Sequence, residues 1–229
     1  MNKTLLETVK LKKTYDHKNG IINLFDNVNI KIKRGDLVAL VGPSGSGKSS
    51  FLHLLALLDD PTKGKILLKN KNTRDFSDEE KNHTRRKNIS IIFQDNNLLT
   101  DFTVLENVIM PLIIKGEKTN TSIKKAKKLL NDVKIINRVN HFPNELSGGE
   151  QQRVAIARAL ISETDLILAD EPTGNLDYKT SEDIFSYFLK LKKLNKAIIF
   201  ATHNRELANK ADYKLSISKG NIKRANARS

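Results

Sequence analysis

The sequence contains no cysteine, no long apolar run and no candidate signal peptide. Without cysteine, disulfides, iron–sulfur clusters and thiolate chemistry are excluded. No segment approaches the ~20 consecutive apolar residues that a membrane-spanning helix needs. The first residues, Met1 to Glu7, also lack the apolar core of a secretory signal. These absences predict a protein that is made and kept in the cytoplasm.

Acidic residues are scarce relative to basic ones, 26 against 40, which gives a formal net charge of +14. Such a charge can indicate a nucleic acid partner or attraction to an anionic membrane surface. However, the basic residues are thirty lysines and only ten arginines, spread along the chain. This pattern favours a genome-wide compositional drift with lysines on solvated faces, and attraction to acidic lipid head groups as a secondary effect. We therefore expect no nucleic acid partner.

A phosphate-binding loop lies between an apolar run, 37–41, and a helix-like run, 50–58. It matches the P-loop pattern G-x-x-x-x-G-K-[ST] at every fixed position. Its glycines let backbone amides close around phosphates, and the following helix directs its positive end at the same anion. The alternative is an ordinary Gly/Ser turn between a strand and a helix. The predicted ATP site comprises Gly42, Pro43, Ser44, Gly45, Ser46, Gly47, Lys48, Ser49 and Ser50.

A second candidate anion site begins at Ser147, about a hundred residues further along the chain. Ser147, Gly148 and Gly149 precede an amphipathic run, Glu150 to Leu160, so a hydroxyl and free amides are expected to face outward at a helix N-terminus. By itself, Ser-Gly-Gly before a helix is more often a simple N-cap. The interpretation as a binding site is favoured because the other motifs occur in the same chain.

A buried apolar strand, Leu166–Asp170, ends in a carboxylate and is followed at once by a second one, Glu171. At the carboxyl edge of a parallel sheet, Asp170 can hold Mg²⁺ through water while Glu171 orients and polarises the attacking water. Adjacent acids after a strand are more commonly a solvated turn. A further apolar strand, 197–201, ends near His203, which alone could be a satisfied core histidine.

The order of these motifs resembles that of the ABC transporter ATPases, and the resemblance covers essentially the whole chain. The segment 146–153 resembles the family signature, and 173–177 resembles its D-loop. The resemblance implies that Lys48 neutralises phosphate charge and that ATP and Mg²⁺ are the cofactors. It also implies an ATPase whose catalytic residues are Glu171, His203 and Gln94, with His203 touching the γ-phosphate.

The resemblance further implies how the remaining residues contact nucleotide, metal and a second copy of the chain. Tyr15 occupies the place of an aromatic that stacks on adenine. Mg²⁺ would be held by Ser49, Gln94 and Asp170. Each ATP would lie between the P-loop of one copy and the signature of the other. The residues expected to act in trans across this dimer are Ser147, Gly148, Gly149, Glu150 and Asp177.

The predicted fold is α/β: a P-loop ATPase core with an antiparallel β flank and a helical subdomain. The core is expected from 1–95 and 151–229, and the helical subdomain from 96–150, all within a single domain. Residues 3–41 favour short alternating strands, and a hairpin is indicated at 63–68. A capping box at Ser77 and Glu80 predicts a short polar helix. The periodicity from 98 to 144 is helical, with a loop expected at 116–121.

Within the family, several blocks resemble the cassettes of lipoprotein-releasing transporters. The resemblance implies a peripheral subunit at the cytoplasmic face of the inner membrane, partnered by transmembrane permease subunits. Macrolide-exporter and cell-division types stay open as alternatives, and a soluble ATPase acting on nucleic acid is a distant one. Ser50 and Asn204 are mild departures from the family pattern. The blocks that carry this finer resemblance are 1–6, 52–62, 98–112 and 169–177.

Overall fold

The computed structural model describes residues 3–18, 20–174 and 176–227. Three short 3₁₀ turns lie at Thr73–Asp75, Ile136–Arg138 and Pro143–Glu145. The strands are β1 Thr4–His17, β2 Gly20–Lys33, β3 Leu37–Val41, β4 Lys63–Leu68, β5 Lys71–Asn72, β6 Ile89–Ile92, β7 Leu166–Asp170, β8 Ala197–Ala201, β9 Tyr213–Ser218 and β10 Asn221–Asn226. The helices are α1 Lys48–Leu55, α2 Asp78–Asn88, α3 Val104–Ile114, α4 Thr119–Asp132, α5 Gly148–Leu160, α6 Tyr178–Lys193 and α7 Arg205–Asn209.

A six-stranded central sheet has the order β10-β9-β3-β8-β7-β6. Every pairing from β9 to β6 is parallel, and β10 pairs antiparallel with β9. The residues of β7 and β8 are all buried, which explains why both strands read as uninterrupted apolar runs. Because the parallel strands point the same way, the segments that follow β3, β6, β7 and β8 share one edge of the sheet.

The two faces of this sheet bury different elements. Leu37 and Ala39 pack with α3 to α6, while Val38 and Leu40 pack with α1 and the antiparallel sheet β2-β1-β4-β5. This alternation follows from the two-residue period of a strand. The central sheet is therefore the middle of three layers, and the helical segment 98–146 joins the same core cluster as α5 and α6.

The β flank differs from the short strands expected for residues 3–41. It consists of two paired strands of 14 residues each. Their pairing shifts register repeatedly, and Lys10 and Asn27 adopt positive φ values of 47° and 51°. These irregularities interrupt the two-residue alternation without ending the strands, so the pattern suggested shorter elements than the chain forms.

Three local predictions can be compared directly with the structure. The predicted hairpin is confirmed, because β4 and β5 pair across a two-residue turn. The capping box is confirmed as well: the Ser77 amide donates to Glu80 at 2.8 Å and the Glu80 amide donates to Ser77 at 3.2 Å. The loop at 116–121 is partly wrong, since α4 already begins at Thr119. No side chain caps this helix, so the sequence carried no start signal there.

In the described part of the chain, no helix combines the length and the hydropathy that crossing a membrane requires.

Candidate functional site

The loop between β3 and α1 needs glycine at both of its ends. Gly45 and Gly47 have φ values of 74° and 93°, in the left-handed region. A Cβ on Gly42 would lie 2.8 Å from the carbonyl oxygen of Ile217, and one on Gly47 would lie 2.9 Å from the Phe25 ring. The glycines therefore let the loop lie close against its neighbours while the residues between them, 43–45, remain exposed.

The N-terminus of α1 is electropositive. Its first turn has no acidic residue, and Gly47 provides no side-chain cap, so the dipole and the first amides are not neutralised by the chain itself. Lys48 is almost buried and its ammonium donates to the carbonyls of Gly42 and Pro43 at 3.0 and 3.2 Å. The buried Ser46 hydroxyl finds no hydrogen-bond partner among the described residues. This combination of unused donors and a held cation fits the phosphates of a nucleotide.

Glu171 lies directly beyond β7 with a φ of 45° and is fixed by β8 and the turn after it. Its amide donates to the carbonyl of Ala201 at 3.1 Å, and its carboxylate accepts from the His203 amide at 3.3 Å. The second carboxylate oxygen lies 3.1 Å from His203 Nε2. Burial raises the pKa of Glu171, and the opposing influence of His203 and Lys48 is smaller. Glu171, His203 and the P-loop lysine thus form one electrostatic group.

The residues expected to hold a metal all offer oxygen atoms. Asp170 ends β7 and is nearly buried, Ser49 lies in the first turn of α1, and Gln94 lies exposed two residues beyond β6. Oxygen donors suit Mg²⁺, which usually keeps several waters and takes few protein ligands. The described residues contain no group of three or more His, Asp or Glu side chains that could enclose a metal. The donor set therefore fits Mg²⁺ shared with a phosphate better than it fits an all-protein cage.

Tyr15 lies near the end of β1, opposite Ile22 of β2. It is 40% exposed, and its hydroxyl donates to Asp59 Oδ2 at 2.8 Å. Burial, followed by the Asp59 contact, raises the pKa of Tyr15, and the Ser50 side chain is close enough to oppose this effect. This influence of Ser50 places the Tyr15 hydroxyl near the first turn of α1. The expected adenine residue and the P-loop therefore belong to one surface.

The signature segment begins α5 with its own capping box. The Ser147 hydroxyl donates to Glu150 at 3.0 Å, the Glu150 amide donates back to Ser147 at 3.3 Å, and Arg138 Nε donates to Glu150 at 2.9 Å. The Ser147 amide and Arg138 together lower the pKa of Glu150. Ser147 is exposed and caps α5 as expected, and its hydroxyl bonds Glu150 within the cap. Gly148 is exposed and Gly149 is partly exposed, so their amides remain for an external anion.

The structure brings some of the expected site residues together and keeps others apart. The P-loop, Asp170, Glu171 and His203 share the carboxyl edge of the central sheet, and Gln94 follows the neighbouring strand. Asp177 instead caps α6, accepting from the amide of Thr180 at 3.0 Å. Among the described residues, no hydrogen bond or ion pair joins 147–150 or 177 to the P-loop. Asn175, in the expected D-loop, lies outside the described residues.

Two residues near the site were not found by reading the sequence. Gln152 is buried in α5, and its amide donates to the carbonyl of Pro172 at 3.2 Å, which ties the signature helix to the turn after Glu171. Asp59 accepts hydrogen bonds from both Tyr15 and Lys13. Gln152 could have been noticed in the sequence, because it is a polar residue on the apolar face of α5. Asp59 lies in an acidic Asp-Asp-Pro turn that carries no such signal.

Comparison with known proteins gives a consistent result. The family model described as ABC transporter matches residues 25–174. The chain is 46% identical to the lipoprotein-releasing system ATP-binding protein LolD of Rickettsia bellii, over 94% of this chain and 96% of that protein. It is 41% identical to LolD of Legionella pneumophila over 97% and 98% of the two chains. An uncharacterized ABC transporter ATP-binding protein of Thermotoga maritima is 42% identical over 96% and 94%.

The same likeness is seen in three dimensions. The dimeric post-hydrolysis structure of the ATP-binding cassette MJ0796 bound to ADP and Pi superposes with a TM-score of 0.94 at 38% identity, covering 98% of this chain and 100% of that one. This likeness confirms the predicted fold class, an α/β P-loop ATPase with an antiparallel β flank and a helical segment.

Proposed function

Because this chain belongs to the ABC transporter family and is an ATPase, we propose that it powers a lipoprotein-releasing complex of the inner membrane. The observation that carries the proposal is the similarity to LolD proteins, which extends over 94% of this chain at 46% identity rather than over the ATPase motifs alone. The complex would extract lipoproteins from the inner membrane for transfer to the outer membrane. This chain would act peripherally, at the cytoplasmic face.

In hydrolysis, the side chains at the carboxyl edge of the sheet take separate roles. Lys48 and the amides of the P-loop bind the phosphates, and the dipole of α1 lowers the cost of their charge. Glu171 orients and polarises the attacking water, because its partly buried carboxylate lies directly beyond β7. His203 contacts the γ-phosphate from the end of β8, where its amide already holds Glu171. A bound Mg²⁺ would neutralise phosphate charge, held by Ser49 and Asp170 with Gln94.

Two copies of the chain would enclose each nucleotide. Gly148 borders unobstructed space, because a Cβ built on it meets no atom within 4 Å. A partner's γ-phosphate placed there would share its charge between two helix N-termini. ATP would therefore hold the two copies together more strongly than ADP, and hydrolysis would release them. Asp177, at the start of α6, would face the second copy.

An apolar groove beside α3 is the proposed seat of the transmembrane permease. This α3 groove encloses about 430 Å³, and Leu99 and Ile114 line it while remaining 41% and 55% exposed. Arg85, Arg86 and Arg158 border it. Arg158 also donates to the carbonyls of Asn96 and Asn97, just after Gln94, so the groove is joined to the segment that reaches the nucleotide site. A short amphipathic helix with acidic side chains would complement such a surface.

The proposal is tested by depleting this chain in its own organism and following where lipoproteins accumulate. Depletion is expected to retain outer-membrane lipoproteins in the inner membrane, and wild-type protein is expected to restore their release. Glu171→Gln should fail to restore it because it lacks the carboxylate that polarises water. Glu79→Gln, the same exchange on an exposed residue of α2, is the matched control and should restore release.

Other results would point to a different complex. If depletion leaves lipoprotein distribution normal but alters macrolide sensitivity or cell separation, the lipoprotein proposal is wrong and an exporter or cell-division complex takes its place. Turnover that requires nucleic acid and falls with added salt would support the distant alternative, since such contacts are strongly screened by salt.

A further inference from the structure

Asp59 connects a lysine and a tyrosine on the surface next to the P-loop. Its Oδ1 accepts from the Lys13 ammonium at 2.6 Å, and its Oδ2 accepts from the Tyr15 hydroxyl at 2.8 Å. The Lys13 ammonium also donates to the carbonyl of Asp60 at 2.9 Å and lies 4.6 Å from the centroid of the Tyr15 ring. One carboxylate and one ammonium therefore fix both the hydroxyl and one face of the same ring.

The pair is well enough buried to be a fixed feature rather than a passing surface contact. The Lys13 side chain is 10% exposed and that of Asp59 is 31% exposed. A cation covered to this extent is tolerated only with a partner. For Asp59, burial is the largest influence and acts to raise the pKa, yet the hydrogen bonds from Lys13 and Tyr15 outweigh it and the pKa is lowered. The carboxylate is thus kept ionised and bonded to both groups.

The ring itself remains accessible despite these contacts. Tyr15 is 40% exposed, and its cross-strand neighbour Ile22 is 48% exposed. Since Lys13 covers one face of the ring, a flat ligand can stack only on the other face. An aromatic side chain whose hydroxyl and one face are both held loses little further freedom when it binds such a ligand.

We infer that Asp59 and Lys13 are positioning residues, which orient the Tyr15 ring in advance for stacking on the base of the bound nucleotide. This inference rests on the proposed role of Tyr15. The competing explanation is structural: the same contacts join β1 to the segment after α1 and contribute only to folding. The two explanations differ in what they predict for ligands with and without a base.

The experiment measures the affinity of the free chain for Mg²⁺-ADP and for Mg²⁺-pyrophosphate, which lacks a base. Asp59→Ala is expected to weaken ADP by about three- to tenfold, the range that follows from having to immobilise one side chain on binding. Pyrophosphate affinity should not change. In steady-state hydrolysis the KM for ATP should rise while kcat stays within twofold. Asp59→Asn, which keeps an oxygen for the Tyr15 hydroxyl but loses the charge, should give a smaller loss and covers the case that the alanine variant does not fold.

The neighbouring acid provides a matched control. Asp60 bonds Lys81 through its side chain and offers Lys13 only its backbone carbonyl. Asp60→Asn should therefore leave both affinities unchanged. A second comparison combines Asp59→Ala with Tyr15→Ala, and the double variant should bind ADP no more weakly than Tyr15→Ala alone.

Each outcome separates the inference from its premise. Equal loss of ADP and pyrophosphate in Asp59→Ala, or additive loss in the double variant, would establish the structural explanation and overturn the inference. Normal ADP binding by Asp59→Ala beside a defective Tyr15→Ala would overturn the inference alone. If Tyr15→Ala itself leaves the ratio of the two affinities unchanged, the adenine role of Tyr15 fails, and the inference with it.

Discussion

At the scale of single residues, Glu171 shows how a proposed catalytic position can lower stability. Its side chain is only 14% exposed, and its buried Oε1, although 3.1 Å from His203 Nε2, makes no hydrogen bond among the described residues. Burial raises its pKa above the ordinary value of 4.5. A group whose pKa is raised by folding favours the folded state at low pH and loses that contribution as pH rises through the folded pKa. At neutral pH the ionised Glu171 is therefore a cost to folding, which its proposed role as general base would explain.

Glu171→Gln is expected to bind ATP, to hydrolyse it at least about 100-fold more slowly and to melt at a higher temperature than wild type at pH 8. The amide keeps the size of the side chain but removes both the general base and the buried charge. Phosphate release and thermal unfolding of the nucleotide-free chain measure the two effects. The gain in melting temperature should shrink as the pH falls, because protonation of wild-type Glu171 removes the buried charge. Near-normal hydrolysis would contradict the role given to Glu171.

At the scale of elements, the carboxylate of Asp165 pairs with basic residues from three separate connecting segments. It lies just before β7 and receives both terminal nitrogens of Arg34 at 2.8 Å. Lys69, in the turn between β4 and β5, lies at 2.8 Å, and Lys196, before β8, lies at 3.7 Å. The hydrogen bonds from Arg34, and then those from Lys69, hold the pKa of Asp165 far below its usual range. The carboxylate thus links the β flank to the central sheet.

Asp165→Asn is expected to destabilise the chain by about 2 kcal/mol at pH 7, because the cations keep their positions but lose the charge that pairs with them. Since the folded pKa is depressed, this contribution is present above the unfolded pKa and is lost as pH falls towards the folded one. The difference in unfolding free energy between the two proteins, measured in urea, should therefore narrow below pH 4. Asp183→Asn breaks the exposed pair with Lys134 and should cost less than about 1 kcal/mol.

One short segment beside the α3 groove contains both proposed docking residues and core residues. Leu99 and Phe102 are 41% and 37% exposed, whereas Val104 is fully buried. The loop between them is held by Asn107, whose buried amide donates to the carbonyls of Leu99, Phe102 and Thr103. The exposed side chains are consequently presented by a rigid loop, as expected of a surface that binds a partner.

Leu99→Ala and Phe102→Ala are expected to fold and to keep basal ATPase activity while co-purifying poorly with the membrane subunits. Either change removes apolar area worth about 1.5 to 3 kcal/mol at a fully buried contact. Leu99 lines the groove and Phe102 does not, so the loss should be larger for Leu99→Ala. Val104→Ala is the comparison and should lower stability instead. If Leu99→Ala binds the membrane subunits normally, the groove is not the docking site.

At the scale of the whole molecule, one chain contains two halves of the proposed site, which no hydrogen bond or ion pair joins in the described part of the chain. The P-loop lies after β3, and the signature lies at the start of α5, which packs with α3 and α4 in the helical layer. Within the chain, Gln152 connects α5 to the turn after Glu171. A nucleotide bound by two copies would therefore act on the helical layer and the catalytic turn together.

Gly148→Arg is expected to leave nucleotide binding by the single chain intact and to block the ATP-bound dimer. An added side chain meets no atom within 4 Å in the chain, so the variant should fold. This exchange is cleaner than Ser147→Arg, which would also remove the cap of α5. Lys48→Ala should weaken nucleotide binding in the single chain, because it removes a phosphate counter-charge.

ADP titration of each variant measures nucleotide binding by the single chain. The mass in ATP of each variant, combined with Glu171→Gln, measures formation of the ATP-bound dimer. A mixture of Lys48→Ala and Gly148→Arg should form at most one composite site per dimer. If Gly148→Arg weakens ADP binding by the single chain as much as Lys48→Ala does, the signature acts within one chain and the arrangement in trans is wrong.

The sequence alone determined the fold class and the edge of the sheet at which the chemistry lies. The apolar strands that lead to Gly42–Ser49, Asp170–Glu171 and His203 can be recognised in the sequence. This is because buried parallel strands and phosphate loops depend on local composition. Likewise, the capping boxes of α2 and α5 follow from residues three apart. Interactions between residues that are close together along the chain can be predicted from the sequence.

Only the tertiary structure decided the contacts between segments distant in sequence. The pairing of Asp59 with Tyr15 spans 44 residues and that of Arg34 with Asp165 spans 131, so no local pattern could indicate either. The length of the β flank and the start of α4 at Thr119 were likewise decided by packing and by hydrogen bonds. Side-chain partners depend on which surfaces meet, and that is fixed only when the layers assemble.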